Sequence, residues 1–149
     1  ISFTEPSVVA TIRFSGDDGT PFVAMDVTVS GDGANAVMIT RAEPWLLGAP
    51  IYGLGTQYNT LDLRGWRLPV FTREQGVGRG EQPITRDLNA GGAFVGGSYA
   101  TTYGARPVFI GQRTGAVFAL RNSELSVFHF GASDVDVTVN ATSVHGLLW

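Results

Sequence analysis

The 149-residue sequence contains no cysteine, so neither a disulfide framework nor a thiolate metal site can be built from it. Lysine is absent too: all ten basic residues are arginine, which reads as a genomic base-composition bias rather than an anion-binding face. Charged residues make up only 15% of the chain, and the formal net charge is −3. A sequence pI near 5.2 gives no electrostatic footprint for nucleic acid. There is no apolar run of about 18 residues, so no membrane-spanning helix is expected. Ile1-Ser2-Phe3-Thr4 is neither a charged n-region nor an apolar h-region of a signal peptide. A cytoplasmic location fits the lack of cysteine and leaves export open. The missing initiator Met and the abrupt stop at Leu147-Leu148-Trp149 suggest a piece cut from a longer polypeptide.

What is present is apolar surface and glycine. Apolar residues reach 44%, with 20 glycines, a profile that excludes a disordered chain. The length suits one domain with a sizeable core. The dominant hydrophobic period is two. Val8 to Phe14 reads as a strand, followed by the turn Ser15-Gly16-Asp17-Asp18-Gly19. Next, Val23, Met25, Val27 and Val29 share one face while Ala24, Asp26 and Thr28 share the other. Ser30-Gly31-Asp32-Gly33 closes that strand, and Ala36 to Thr40 is expected to return antiparallel to it. Pro107 to Ile110, Ala116 to Leu120 and Leu125 to Phe130 read as three more strands. Val135, Val137 and Val139, alternating with Asp136 and Thr138, read as a last one. No helical stripe of ten residues occurs, so the expected fold is an all-β antiparallel sandwich.

From about 72 to 106 the period fails. This long irregular region is rich in glycine and polar residues, with some of it, such as Gln82 to Arg86, a candidate for extended chain. A loop of such length is uncommon in a compact domain and is usually either functional or a mis-assigned element. Gly76-Val77-Gly78-Arg79-Gly80 lacks the spacing and flanking elements of a phosphate loop, so its glycines are assigned to turns. His129 and His145 have no partner at ligand or triad spacing and read as structural. Asp17, Asp18, Asp32 and Asp134 belong to turns. Asn140-Ala141-Thr142 matches a glycosylation sequon, which matters only in a secreted eukaryotic protein. No metal site or cofactor is expected.

One block carries more information. It comprises Tyr52-Gly53-Leu54-Gly55-Thr56-Gln57, Leu61-Asp62-Leu63-Arg64-Gly65, and Pro69-Val70-Phe71-Thr72-Arg73-Glu74-Gln75-Gly76-Val77-Gly78-Arg79-Gly80. Gln82-Pro83-Ile84-Thr85, Gly96-Gly97-Ser98 and Thr101-Thr102-Tyr103 follow, and Leu125 to Phe130 fits a Ser/Asn-x-Phe-x-Phe strand. In order and spacing these segments resemble the N-terminal domain of family 31 glycoside hydrolases, in the branch of sulfoquinovosidases and related α-glucosidases. The resemblance covers about two thirds of the chain, from Tyr52 to about Phe130.

The resemblance implies a galactose-mutarotase-like sandwich spanning 1–149, packed on a downstream (β/α)8 barrel. It implies a retaining α-glycosidase whose two catalytic carboxylates lie in that barrel, so none is expected here. A sandwich loop would reach the rim of the sugar pocket. There Glu74 matches the acidic position that contacts sugar in relatives, with Arg73 and Gln75 flanking it. The bland counterpart is a loop brace pairing Glu74 with Arg73, Arg64 or Arg79. Tyr99, Tyr103, Trp66 and Phe94 are aromatic candidates near the rim, with core or interdomain packing as their default; Trp66 and Phe71 suit an interdomain surface. Thr56 stands where the branch usually has Glu, which puts the substrate in question more than the family. The expected partners are a carbohydrate and the chain's own barrel, and self-association is left open. A free-standing carbohydrate-binding module is the rival reading, and an adhesion-type sandwich a third.

Overall fold

The computed structural model describes residues 4–5, 8–42, 49–56, 60–72, 102–113 and 115–149. All regular elements among them are strands. In chain order these are β1 (Thr4–Glu5), β2 (Val8–Ser15), β3 (Val23–Gly31), β4 (Val37–Ala42), β5 (Ile51–Gly55) and β6 (Arg67–Val70). After the 73–101 excursion come β7 (Ala105–Gly111), β8 (Val117–Leu120), β9 (Ser126–Phe130), β10 (Asp134–Val139) and β11 (Ser143–Leu148). A seven-stranded sheet runs β1-β2-β3-β11-β8-β7-β5, and a four-stranded sheet runs β4-β10-β9-β6. Every strand pair is antiparallel. The expected all-β sandwich is borne out.

The core follows from alternation. Along β10, Val135, Val137 and Val139 are buried, while Asp134, Asp136 and Thr138 are half-buried on the other face. Ser126, Phe128 and Phe130 do the same on β9. The opposite sheet contributes Met25, Val27, Phe109, Phe118, Leu120 and Val144. At the centre, Phe109 of one sheet meets Phe130 of the other edge-on, with ring centroids 5.3 Å apart at 88°. Edge-to-face contact places a positive ring edge on a negative face. Each such buried side chain contributes about 1.5–3 kcal/mol relative to exposure.

Three elements depart from the sequence reading. Residues 36–40 do not return along β3. The strand there, β4, pairs with β10, from Val37 opposite Val139 to Ala42 opposite Asp134. Both sides of β3 are already occupied, by β2 and β11, and the turn at Gly33 (φ +81°) leads the chain to the other sheet. The second departure is β11, which follows the strand expected to be last. Its alternation is interrupted by Gly146, where an added Cβ would lie 3.1 Å from Phe118 Cε2 and 3.3 Å from Met25 Cε. An alanine there would require those two side chains to give by a few tenths of an ångström. Third, β5 and β6 bracket the front of the irregular region, and β7 begins at Ala105, just inside its expected end. Pro69 fits within β6 because β6 is an edge strand.

Seven strands facing four leave an overhang. Phe14 and Ile12 of β2 pair with core-facing Met25 and Val27, yet they are 61% and 48% exposed. Together with Ile39, Val135 and Val137 they line an open apolar cleft of about 290 Å3.

Candidate functional site

The sequence reading places its substrate contacts on the long excursion, and the structure defines how that excursion is attached. It leaves the four-stranded sheet after β6, passing Phe71, which is 46% exposed, to reach Thr72. It returns at Thr102. These two threonines form an isolated parallel bridge, so the departing and returning chain are held side by side.

The bridge is tied to the end of β5. There Gly53, Leu54 and Gly55 have φ of +138°, +58° and +85°, and the pairing of β5 with β7 shifts register between Gly53 and Gly55. The glycines are required by contact as well as by conformation. A Cβ on Gly53 would sit 2.2 Å from the Val108 carbonyl oxygen, and one on Gly55 1.8 Å from that of Gly104. Leu54 is the one described residue besides glycine with positive φ. Its side chain is 1% exposed, and burial is what offsets the strain of that backbone.

This run turns Thr56 toward the returning chain. Thr56 N–H donates to the Gly104 carbonyl at 3.0 Å. The Thr102 hydroxyl donates to the Thr56 carbonyl and accepts from Gly104 N–H at 3.3 Å. Ala105 N–H in turn donates to Thr72 Oγ1 at 3.4 Å. Thr102 is fully buried, so its hydroxyl must find protein partners, and it uses both its donor and an acceptor site. At position 56 both bonds come from the backbone. The usual glutamate of the branch is therefore not needed to hold this neck.

A second brace lies just upstream. Asp62 Oδ1 accepts from Ile51 N–H at 3.2 Å and Arg64 N–H at 3.1 Å. Asp62 Oδ2 takes Arg64 Nε at 2.8 Å and Nη2 at 2.5 Å. The Arg64 side-chain bonds, with help from the backbone amides, hold the Asp62 carboxyl below its ordinary pKa. Leu61-Asp62-Leu63-Arg64-Gly65 thus fastens the start of β5. Arg64 is committed to Asp62.

Each histidine is paired with an aspartate, a partner that spacing along the sequence did not give it. On the outer face of the four-stranded sheet, His129 Nδ1 lies 3.2 Å from Asp136 Oδ2, whose other oxygen accepts from Thr40 Oγ1 at 2.7 Å. These bonds, Thr40's first, lower the Asp136 pKa, with Arg67 adding a smaller charge effect. On the outer face of the seven-stranded sheet, His145 Nδ1 is 2.7 Å from Asp26 Oδ1, and Asn122 Oδ1 accepts His145 N–H. Among the described residues no cluster of three or more His, Asp or Glu could hold a metal. No described helix is long and apolar enough to cross a membrane.

Glu74, Gln75 and Arg73 lie outside the described residues, as do Phe94, Tyr99, the Gly76–Gly80 run and the extended candidate Gln82–Arg86. Of the remaining aromatic candidates, Trp66 is partly buried against the sandwich's own core. Tyr103, beside Thr102 in the neck, is 47% exposed. Sequence reasoning missed the neck itself. Its signals were the paired glycines around Leu54 and the threonines at 72 and 102, which had been noted only as parts of a family block.

No family model matches the chain. Over 60 residues, 40% of its length, it is 40% identical to a sulfoquinovosidase of Escherichia coli K12, covering 9% of that protein. Over 85 residues, 56% of its length, it is 35% identical to a sulfoquinovosidase of Agrobacterium fabrum, covering 12%. The matched residues thus span about a tenth of these relatives. In fold, 99% of the chain superposes on 23% of a family 31 sulfoquinovosidase from E. rectale, solved with an aza-sugar inhibitor, at TM-score 0.77 and 19% identity. A cycloalternan-forming enzyme from Listeria monocytogenes, solved with a pentasaccharide, matches at TM-score 0.56 and 13% identity over 15% of its chain. Sequence and fold together bear out the resemblance to a domain of family 31 glycoside hydrolases.

Proposed function

We propose that this chain is the N-terminal sandwich of a retaining α-glycosidase of family 31 and is inactive by itself. Its role is to pack on a downstream (β/α)8 barrel and complete the rim of the sugar pocket. Arg73, Glu74 and Gln75 are the residues assigned to that rim. The observation that carries this reading is the bridge between Thr72 and Thr102. It fixes the point from which the excursion departs, so that Arg73, Glu74 and Gln75 start one to three residues from a braced anchor.

The chemistry is consistent. Retaining glycosidases hydrolyse through two carboxyl groups about 5–5.5 Å apart, one a nucleophile and the other an acid/base. Three of the described carboxylates are engaged within the sandwich: Asp62 is bound by Arg64, Asp136 by Thr40 and His129, and Asp26 by His145. All three serve as braces in the sandwich, and the reading places the catalytic pair in the barrel. On a rim, a carboxylate and an amide accept and donate hydrogen bonds to several sugar hydroxyls. The matching relatives are sulfoquinovosidases, which favours an α-sulfoquinovoside over a plain α-glucoside as substrate.

The test uses the full-length protein with 4-nitrophenyl α-sulfoquinovoside and 4-nitrophenyl α-glucoside. Turnover of at least one, with none by the isolated 149-residue chain, is expected. Glu74→Ala should raise KM by about tenfold, the effect of one lost charge-assisted hydrogen bond. Unchanged KM would make Glu74 a brace and remove the rim assignment.

A further inference from the structure

We infer that the outer face of the seven-stranded sheet carries a carbohydrate-binding groove, with Phe22 as its stacking platform and Asp26 and Arg121 as its hydrogen-bonding pair. The inference does not rest on the rim assignment, since every residue in it belongs to β3, β11 or the chain beside them.

Shape comes first. Two open depressions lie side by side on that face and share Ala24 as a wall. One, of about 250 Å3, is lined also by Asp26, Arg121, His145 and Gly146. The other, of about 80 Å3, is lined by Phe22 and Thr20 among others. Residues two apart in extended chain share a face, so Phe22, Ala24 and Asp26 follow one another in line. The short Ala24 side chain leaves the dip between its longer neighbours. From Phe22 to Asp26 is about 13 Å of extended chain, enough for two linked pyranose rings.

The polar end is fixed before any ligand arrives. His145 Nδ1 lies 2.7 Å from Asp26 Oδ1, which orients the carboxylate and leaves Oδ2 without a bond among the described residues. The His145 carbonyl accepts from Arg121 N–H at 2.7 Å, and His145 N–H donates to Asn122 Oδ1 at 2.7 Å. Asn122 Nδ2 in turn donates to the Ser143 carbonyl at 2.9 Å. Arg121 therefore starts from a backbone tied to β11, and its guanidinium pairs with none of the described carboxylates.

Chemistry then selects the ligand. A carboxylate accepts and a guanidinium donates, so together they match adjacent sugar hydroxyls. Phe22, 39% exposed, adds the negative face of an aromatic ring, which attracts the C–H face of a pyranose. A small anion would meet the Asp26 carboxylate. An apolar ligand would strip water from Asp26, Arg121 and His145 without replacing it. A polyhydroxylated ring with one apolar face satisfies the whole set.

Affinity electrophoresis of the full-length protein, in native gels containing dextran (an α-linked glucan) or laminarin (a β-linked glucan), tests this. At least one glucan should retard wild type. Phe22→Ala and Arg121→Ala should each weaken the apparent Kd about tenfold, whereas Phe22→Trp keeps it within about twofold. Ala24→Leu fills the shared wall and should abolish retardation without removing a polar group. Where Ala24→Leu lowers the melting temperature, the two alanine variants at exposed positions decide alone. Free passage of wild type through both gels overturns the inference. So does retardation indifferent to these substitutions, which would put the sugar elsewhere. Displacement of the glucan by sulfate, sensitive to Arg121→Ala but not to Phe22→Ala, would make this an anion site and overturn it too. Turnover of an α-glycoside without retardation would sink this inference alone. Retardation lost on substitution, in a protein inert toward α-glycosides, would uphold it while the functional reading fails.

Discussion

At the centre of the sandwich, Phe109, Phe118, Phe128 and Phe130 touch one another across both sheets, with centroids 5.3–6.2 Å apart. At the neck, Thr56, Thr72, Thr102 and Gly104 are joined by a few directional bonds over a strained backbone. The first region is redundant: no single contact defines it, and the pattern of apolar side chains is sufficient. The second is singular, because each bond has one donor, one acceptor and one geometry. A protein can therefore be robust in its fold and exacting at the one place where an excursion is attached.

The contrast can be broken at the core most violently. Val137 is 4% exposed within β10, and Val137→Asp would bury a charge with no partner. A loss of about 4 kcal/mol or more is expected, enough to abolish a cooperative thermal transition in far- and near-ultraviolet circular dichroism. A variant that melts normally would show the centre to be looser than its packing indicates. The neck should respond less, but more sharply than a comparable turn. Gly55→Ala faces both a positive φ and a Cβ placed 1.8 Å from the Gly104 carbonyl oxygen. It should cost about 3 kcal/mol in urea unfolding, at the upper end for enforced strain. Gly65→Ala, at φ +78° with nothing within 4 Å, should cost only about 1–2 kcal/mol for the left-handed conformation. Equal costs would mean that the close approach at Gly55 relaxes freely.

The smallest effect belongs to the outer face. The Asp136 pKa is lowered by Thr40 and His129, so its contribution to stability is present above the ordinary carboxylate pKa of about 3.9. That contribution is lost as pH falls toward the lower folded value. Between about pH 5 and 3 the melting temperature of wild type should therefore fall more steeply than that of Asp136→Asn. Identical slopes would show that the Thr40–Asp136–His129 row contributes nothing.

The same contrast explains what could be read in advance. β2, β3 and β7 to β10 were legible because alternation of two is a property of side chains, and turns such as Ser15-Gly16-Asp17-Asp18-Gly19 punctuate it. β11 was not, since its core position at 146 is a glycine whose value lies in the room it leaves for Phe118 and Met25. The sheet assignment of β4 depended on which strands had already taken the sides of β3, a long-range fact that no local pattern contains. At the neck, Thr56 drew notice for the side chain it lacks, whereas its structural work is done by the backbone groups every residue has. Thr102 and Thr72 stood in the family block, but nothing local says that a threonine at 102 will meet a carbonyl at 56.

The bridged feet of the excursion also bear on how such a domain changes over generations. Once Thr72 and Thr102 are held together, altering the length of chain between them adds little closure entropy, about 0.6 kcal/mol for each doubling of a flexible loop. By closure entropy alone, a change in the length of chain between the two threonines leaves the registers of β6 on β9 and β5 on β7 in place.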